Sequence, residues 1–174
     1  APETVARILS SQHTISPHRM ALSTVNREGT SFTLIDDSFN ANPDSMKAGL
    51  NGLKAWNSND GKEPFRVALL GAMLELGADE TALHTSIGTY ADELGIDAII
   101  AVGSAQDQHL DALAQALADG ARQSQSASVD CVHDIDAAEQ LVIDLARNHP
   151  DAVVLLKGSH ASGLSALAER WAKN

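Results

Sequence analysis

Short runs of Val, Ile, Leu and Ala recur along the chain, and a stretch with helical spacing follows each of them. Apolar runs without a regular polar alternation predict strands that are buried on both faces of a sheet. The runs cover residues 66–70, 98–102, 129–133 and 152–156. The helical stretches that follow them cover residues 79–94, 106–117, 134–146 and 162–173.

An earlier part of the chain predicts a β-hairpin, with strands at residues 21–26 and 31–36 around the turn 27–30. A further helix is predicted at 43–56, before the first buried run. Strands that alternate with helices in this way indicate βαβ units and a largely parallel sheet with helices on both faces. The sequence therefore predicts an α/β fold with an N-terminal hairpin.

The first residues do not join this alternation. Helical spacing is present at 3–11, and a connector with Pro17 follows it. We expect residues 1–13 to be the tail of a preceding domain or a linker, and 14–174 to form the α/β domain. The chain does not begin with Met, which suggests a processed chain or a fragment of something longer.

Composition narrows the possible partners. The 174 residues are 44% hydrophobic, enough for one domain with a real core. Twelve basic and 23 acidic residues give a formal net charge of -11, which argues against binding to nucleic acid or to an anionic membrane. No apolar run is long enough to cross a bilayer, and residues 1–12 do not resemble a secretory signal.

The single cysteine, Cys131, cannot form an intrachain disulfide and is expected to be a buried small hydrophobe.

Polar residues and glycines follow the predicted strands at the carboxyl ends, where ligands of open α/β sheets bind. These segments are Asp36-Asp37-Ser38, the glycine-bounded stretch 71–77, Gly103-Ser104, His133-Asp134 and Lys157-Gly158-Ser159-His160. Such a set suits an anionic or polar ligand, for example a nucleotide or an amino acid.

Each of these positions also has a purely structural interpretation. Asp36 and Asp37 could equally cap a turn, and Gly71 is more often a plain strand-to-helix turn. Lys157 could be a solvated surface lysine, and Glu75 an exposed loop residue. His84 is expected on a helix surface or in packing.

One helix start is strongly marked in the sequence. Asn42 suits the N-cap, Pro43 suits the first helical position, and Asp44 lies where the helix dipole favours a negative charge. This start directly follows the paired carboxylates. The polar loop at 36–42 is therefore the first place to look for a ligand site.

The common phosphate-binding and nucleophile motifs are absent from the sequence. It contains no G-x-x-x-x-G-K-[ST] loop, no G-x-G-x-x-G after the first strand and no G-x-S-x-G elbow. If this domain handles a nucleotide, another domain must hold the phosphates.

Four segments of the chain resemble motifs of one protein family. Residues 36–46 resemble D-D-S-Y-N-A-N-P-x-S-M, and 18–20 resemble G-R-M. Residues 70–77 resemble L-G-D-M-x-E-L-G, and 156–160 resemble V-K-G-S-R. The motifs occur in the right order and cover nearly the whole chain, and the first is long and specific. On these residues the chain is identified as a member of the Mur ligase family.

The resemblance implies a Rossmann-like C-terminal domain of a three-domain, cytoplasmic bacterial enzyme, expected to be a monomer. The implied reaction forms an acyl phosphate on UDP-N-acetylmuramoyl-tripeptide with ATP, and the amine of D-alanyl-D-alanine then attacks it. This step belongs to peptidoglycan biosynthesis. ATP and Mg²⁺ would be held mainly by a central domain absent here, so the chain alone should be inactive and should hold no metal of its own.

The resemblance also implies roles for residues on the nucleotide side. Arg19 would lie near the phosphates and neutralise developing charge, and Asp37 would hydrogen-bond the nucleotide, with Asp36 the less favoured of the two. Asn40 and Asn42 would line the same side. Arg19 and Asp37 are thus the implied catalytic residues.

On the other side of the cleft, the resemblance implies a site for the incoming dipeptide. Lys157 would complement its carboxylate, and Gly158 and Ser159 would help to receive it. His160 and Glu75 would border the same cleft.

The chain departs from the family motifs at four positions. Phe39 replaces tyrosine, Ala72 replaces aspartate, His160 replaces arginine and His18 replaces glycine. These changes affect the dipeptide side more than the nucleotide side.

Two other functions stay open at this point. One is a related Mur or folylpolyglutamate-type ligase with a different incoming amino acid, although Asn40-Ala41-Asn42-Pro43 stands where those relatives carry histidine. The other is a non-catalytic α/β binding module.

Overall fold

Six strands form one mixed sheet within residues 18–173, the part of the chain that the computed structural model describes. The predicted helix at 3–11 and the proposed domain boundary at residue 14 lie outside this part. The strands are β1 (Ala21–Arg27), β2 (Thr30–Asp36), β3 (Arg66–Gly71), β4 (Ala98–Val102), β5 (Ser128–Val132) and β6 (Val153–Lys157).

The strand order is β1-β2-β6-β3-β4-β5, so the last strand in sequence lies between β2 and β3. β1 and β2 pair antiparallel as the predicted hairpin, and the other four pairings are parallel. The predicted fold class, a mostly parallel Rossmann-like α/β sheet with an N-terminal hairpin, is confirmed. Because β6 is central, the carboxyl ends of β2, β6 and β3 meet at one edge of the sheet.

Five α-helices connect the strands within this described range. They are α1 (Pro43–Ala55), α2 (Glu80–Glu93), α3 (Gln108–Ala121), α4 (Ile135–Asn148) and α5 (Leu164–Ala172). Short 3-10 turns at Gly77–Asp79 and His160–Ser162 precede α2 and α5.

The helices cover both faces of the sheet, as the continuous apolar strands predict. On one face, Ile35, Leu70 and Leu155 pack with side chains of α1, α2 and α3. On the other, Leu69 and Leu156 pack with side chains of α4 and α5. Neighbouring residues of the central strands therefore enter opposite cores, which explains why these strands show no polar alternation.

The predicted start of α1 is confirmed. The Asn42 side chain accepts a hydrogen bond from the Ser45 amide, the Ser45 hydroxyl accepts one from the Asn42 amide, and Pro43 is the first helical residue. The predicted cap at α4 is also present, since Asp134 accepts from the Ala137 amide at 2.7 Å. These caps are local signals, and the local sequence therefore predicts them.

Two predicted helix ends are wrong. The helix predicted at 106–117 continues to Ala121 as α3, with Gly120 inside it. The last helix was expected from residue 162, but it begins at Leu164, because Gly163 adopts a left-handed φ of 81° that separates it from the preceding 3-10 turn.

Gly120 is inside α3 because α2 and α3 pack against each other at very short range. A side chain at Gly120 would overlap the carbonyl oxygen of Thr85, and one at Gly88 would overlap the carbonyl oxygen of Leu117. Each helix therefore supplies one glycine against the backbone of the other. This tertiary contact outweighs the usual cost of glycine in a helix.

We predict that Gly88→Ala and Gly120→Ala each lower the free energy of unfolding by about 1–3 kcal/mol, the usual cost of overpacking. The control is Gly52→Ala in α1, where a new methyl group meets the flexible end of Met20. Higher helix propensity should leave that variant as stable as the wild-type chain or more so. Urea unfolding of the three variants measures this, and wild-type stability of Gly88→Ala would contradict the packing argument.

Candidate functional site

The predicted site lies where the carboxyl ends of β2, β6 and β3 meet. In the sheet register Asp36 stands beside Leu156, and Lys157 stands beside Leu70. The Asp37 amide continues the pairing by donating to the Leu156 carbonyl at 2.9 Å. Residues 120 positions apart in sequence are thus brought into direct contact by strand order alone.

Lys157 and Asp37 form a buried ion pair at this edge. The ammonium Nζ lies 2.8 Å from Asp37 Oδ2, and the two side chains are 4% and 12% exposed. Lys157 also donates to the carbonyl of Asn40 at 2.9 Å. Burial raises the pKa of the Asp37 carboxyl, and the hydrogen bond and charge of Lys157 offset part of that rise.

Asp36 is held on a different set of partners. Its Oδ2 lies 2.6 Å from His18 Nδ1, and its Oδ1 accepts from the Ser38 amide at 3.2 Å and from the Ser38 hydroxyl at 2.5 Å. Asp36 therefore organises the turn after β2. The two adjacent carboxylates therefore contact different residues: Asp36 contacts His18 and Ser38, whereas Asp37 contacts Lys157 and Met20.

Arg19 lies at the open side of this cluster. Its guanidinium carbon is 3.9 Å from the centre of the Phe39 ring, and both side chains are exposed. The backbone around it is tied down, since the Phe39 amide donates to the His18 carbonyl at 2.9 Å and the Met20 amide donates to Asp37 Oδ1 at 3.2 Å. Arg19 is thus an exposed cation beside the buried pair.

The two asparagines of the loop carry structural hydrogen bonds. Asn40 accepts from the Ala41 amide with its side chain and from Lys157 with its carbonyl. Asn42 uses its side chain as the N-cap of α1. Their contact with a nucleotide stays a prediction.

The residues after β6 pack closely against the end of β3. A side chain on Gly158 would come within 2.9 Å of the Gly71 Cα, and the Ser159 amide donates to the Ala72 carbonyl at 3.0 Å. The Ser159 hydroxyl is buried and has no hydrogen-bond partner within residues 18–173. A buried, unpaired hydroxyl two residues after Lys157 is a candidate ligand contact.

His160 and Glu75 are less closely joined to this cluster. His160 is exposed, with Nδ1 3.3 Å from the Ser165 hydroxyl at the start of α5. Glu75 is exposed in the loop after β3, with a left-handed φ of 60°, and its side chain forms no ion pair within the described range. The structure thus gathers Arg19, Asp36, Asp37, Asn40, Lys157, Gly158 and Ser159 at one edge, and sets the side chains of Asn42, His160 and Glu75 outside their hydrogen-bond network.

Two histidines next to the site are fully or partly buried. For His84 the packing alternative is confirmed, whereas its hydrogen bonds and the contact of His18 were not predicted. His18 contacts Asp36, as described above. His84 in α2 is fully buried, accepts from the Met73 amide at 2.9 Å with Nε2 and donates from Nδ1 to the Glu80 carbonyl at 2.6 Å. It therefore fixes the loop that leaves β3. The only sequence signal was a histidine among apolar helix positions.

The structure contains no helix that could span a membrane, among the helices searched in residues 18–173. Within the same range no group of three or more His, Cys, Asp or Glu side chains could hold a metal ion. Cys131 is half-buried, and burial raises the pKa of its thiol. It packs against the core, as expected, although it is not completely covered.

We predict that His84 makes the stability depend on pH. Burial lowers the pKa of His84, so the unfolded chain binds a proton near pH 6.5 while the folded chain binds it only at lower pH. Stability should therefore fall as the pH drops below about 6.5. His84→Ala should cost about 1–3 kcal/mol at pH 7.5, since the Met73 amide loses its acceptor, and should have a flatter pH dependence. Urea unfolding at pH 7.5 and at several pH values below about 6.5 tests this, and an unchanged slope of stability against pH in the variant would refute the assignment.

We predict that Lys157→Met destabilises the chain by about 3–5 kcal/mol at neutral pH, because it leaves the Asp37 carboxylate buried without its partner. The pKa of Asp37 is already raised, so protonation should recover part of the loss as the pH falls toward the ordinary Asp range. The double variant Asp37→Asn, Lys157→Met should recover most of it at neutral pH. Equal stability of the single and double variants at pH 7 would show that the loss does not come from the unpaired Asp37 carboxylate.

The chain is similar to known proteins over most of its length. The family model for the Mur ligase, glutamate ligase domain, matches residues 18–160. A protein named UDP-N-acetylmuramoyl-tripeptide–D-alanyl-D-alanine ligase from Mycobacterium tuberculosis is 38% identical over 173 residues, which is 96% of this chain and 33% of that protein. A protein of the same name from Mycobacterium leprae is 36% identical over 96% of this chain and 32% of its own length.

Solved structures share the fold. A crystal structure of MurF from Acinetobacter baumannii superposes with a TM-score of 0.68 at 24% identity, covering 91% of this chain and 31% of that one. MurF ligase from Thermotoga maritima, solved in complex with ADP, gives a TM-score of 0.61 at 21% identity over 91% of this chain and 31% of that one.

The chain spans about a third of the length of the curated relatives that it matches. The family model nevertheless covers the hairpin, the central strands and the whole cluster around Asp37 and Lys157. This chain therefore belongs to the Mur ligase family.

Proposed function

We propose that this chain is the C-terminal domain of an ATP-dependent ligase that joins D-alanyl-D-alanine to UDP-N-acetylmuramoyl-tripeptide, by way of an acyl phosphate, in peptidoglycan biosynthesis. The observation that carries this proposal is the 38% identity, over 96% of the chain, to a relative that bears this enzyme's name. The long motif at residues 36–46 supports the same assignment, because it forms the centre of the candidate site.

The rest of such an enzyme would hold the phosphates of ATP and the Mg²⁺ ion. This division is supported by the missing phosphate-loop motif and by the donor set at the site. Asp36 and Asp37 already have partners and do not form a group that could hold a metal ion within residues 18–173. We further propose a cytoplasmic, monomeric enzyme, in which this domain closes over ATP and receives the dipeptide.

Asp37 is better suited than Asp36 to bind a nucleotide hydroxyl. A carboxylate offers about four acceptor positions. Asp37 uses two of them, on Met20 and Lys157, whereas Asp36 uses three, on His18 and on the amide and hydroxyl of Ser38. Asp37 therefore keeps more capacity for a ribose hydroxyl.

Arg19 supplies the exposed positive charge of this edge. Lys157 is neutralised by Asp37, whereas the Arg19 guanidinium faces solvent over Phe39. A guanidinium can bind phosphate oxygens with two parallel hydrogen bonds and stabilise charge that develops during phosphoryl transfer. Phe39 offers its ring for stacking, without the hydroxyl of the family's tyrosine.

The dipeptide side of the proposal involves Lys157, Gly158, Ser159, His160 and Glu75. Lys157 has three donors and uses two of them, so one remains for a ligand carboxylate, and the hydroxyl of Ser159, two residues later, is buried and unpaired within residues 18–173. His160 stands where the family motif has arginine, and so contributes a ring in place of a permanent charge. Glu75 lies in the adjoining loop.

We predict that, in the complete ligase, Arg19→Ala lowers kcat by about 100-fold, in the range for loss of one donor to transition-state charge. Asp37→Ala should raise the KM for ATP by about tenfold, the equivalent of one hydrogen bond to a charged group. The control is Arg122→Ala, which removes a half-exposed arginine that pairs with Asp119 at the end of α3. ATP-dependent amide formation is measured for each, and full activity of both site variants would refute these roles.

The same assay identifies the incoming substrate. D-alanyl-D-alanine should be consumed in preference to any single amino acid when both are offered, and the 174-residue chain alone should form no product. Preference for a single amino acid would indicate a different ligase of the family. Absence of any ATP-dependent ligation by the complete protein would favour a binding module.

A further inference from the structure

We propose that His18 is a positioning residue, which holds Arg19 in place at the site through its contact with Asp36. The effect of His18 on catalysis rests on the proposed function, whereas its effect on the position of Arg19 does not. The G-R-M motif that residues 18–20 resemble has glycine at this position, and this chain has an imidazole there instead.

The backbone on both sides of Arg19 is strained. His18 has a φ of 66° and Met20 a φ of 50°, both in the left-handed region that residues other than glycine rarely adopt. Such conformations persist only where the surrounding contacts over-determine them, and they cluster at functional sites. Two of them flanking one exposed arginine indicate that the direction of Arg19 is imposed by its surroundings.

The contacts that fix the direction of Arg19 are all made with residues at or just after the end of β2. The imidazole Nδ1 lies 2.6 Å from Asp36 Oδ2 and 3.2 Å from the Ser38 hydroxyl. The His18 carbonyl accepts from the Phe39 amide, and the Met20 amide donates to Asp37. Residues 18–20 are therefore attached by one side chain and two backbone bonds.

The second ring nitrogen faces another element. His18 Nε2 lies 3.7 Å from Glu169 Oε1 on α5, across a groove of about 430 Å³ between β1 and α5. Asp36 and Glu169 are the charged groups that line this groove beside the imidazole, within residues 18–173. His18 thus lies between two carboxylates, one on each side, and joins the site to the last helix.

The contact between Arg19 and Phe39 cannot hold the guanidinium alone. An exposed cation–π contact is weak, and an arginine side chain loses much rotamer freedom when it is fixed. The stacked geometry therefore depends on the direction in which the backbone presents Arg19. Glycine at residue 18 would accept the left-handed φ but would supply no bond to Asp36.

The test measures the Arg19–Phe39 contact directly in the 174-residue chain by NMR. Protons of the Arg19 side chain above the Phe39 ring should be shifted upfield, and Phe39→Leu gives the unshifted reference. His18→Gly should remove most of the shift. The matched control is Gln125→Gly, which replaces another left-handed residue, φ 59°, in an exposed turn far from the site, and should leave the shift intact. An unchanged shift in His18→Gly overturns the proposal.

The complete ligase then provides a double-mutant cycle. His18→Gly should lower kcat by about tenfold to a hundredfold, the scale of a small misplacement of a catalytic group, and should have no further effect in an Arg19→Ala background. Additive losses would mean that His18 does not act through Arg19. If the complete protein ligates nothing, the proposed function fails, while the NMR result still decides the role of His18.

Discussion

The buried pair of Asp37 and Lys157 is the interaction on which the rest of the site depends. Removing two opposite charges from water costs free energy, and the attraction between the two charges offsets part of that cost. The pair forms because β6 is inserted between β2 and β3, which sets Lys157 beside the residue that follows β2. Through the carbonyl of Asn40 and the amide of Met20, the same two side chains also hold the loop before α1 and the segment around Arg19.

This arrangement separates the charges that are paired within the structure from the charge that is exposed to solvent. Lys157 and Asp37 largely neutralise each other, and Asp36 is occupied by His18 and Ser38. Arg19 remains as the exposed cation beside them. An edge of this kind needs little rearrangement to receive an anionic group, because its internal hydrogen bonds are already made.

Local patterns predicted several elements correctly where the signal lies in the nearby sequence. The cap at Asn42 and the apolar run of β6 are examples, and the carboxylates after β2 were correctly placed at a sheet edge. The continuation of α3 through Gly120 was not predictable, because it follows from contact with the backbone of α2. The burial of Lys157 and the role of His84 depend likewise on strand order and on a neighbouring loop, which no spacing along the chain reveals.

Two of the four departures from the family motifs, His18 and His160, contact the same helix. His18 and His160 lie at the two ends of the segment matched by the family model, and both contact α5, through Glu169 and Ser165. That helix follows the matched segment and packs Trp171 into the core. Because both histidines contact α5, that helix is joined to the edge that carries the site at two points, and neither point belongs to the ion pair of Asp37 and Lys157.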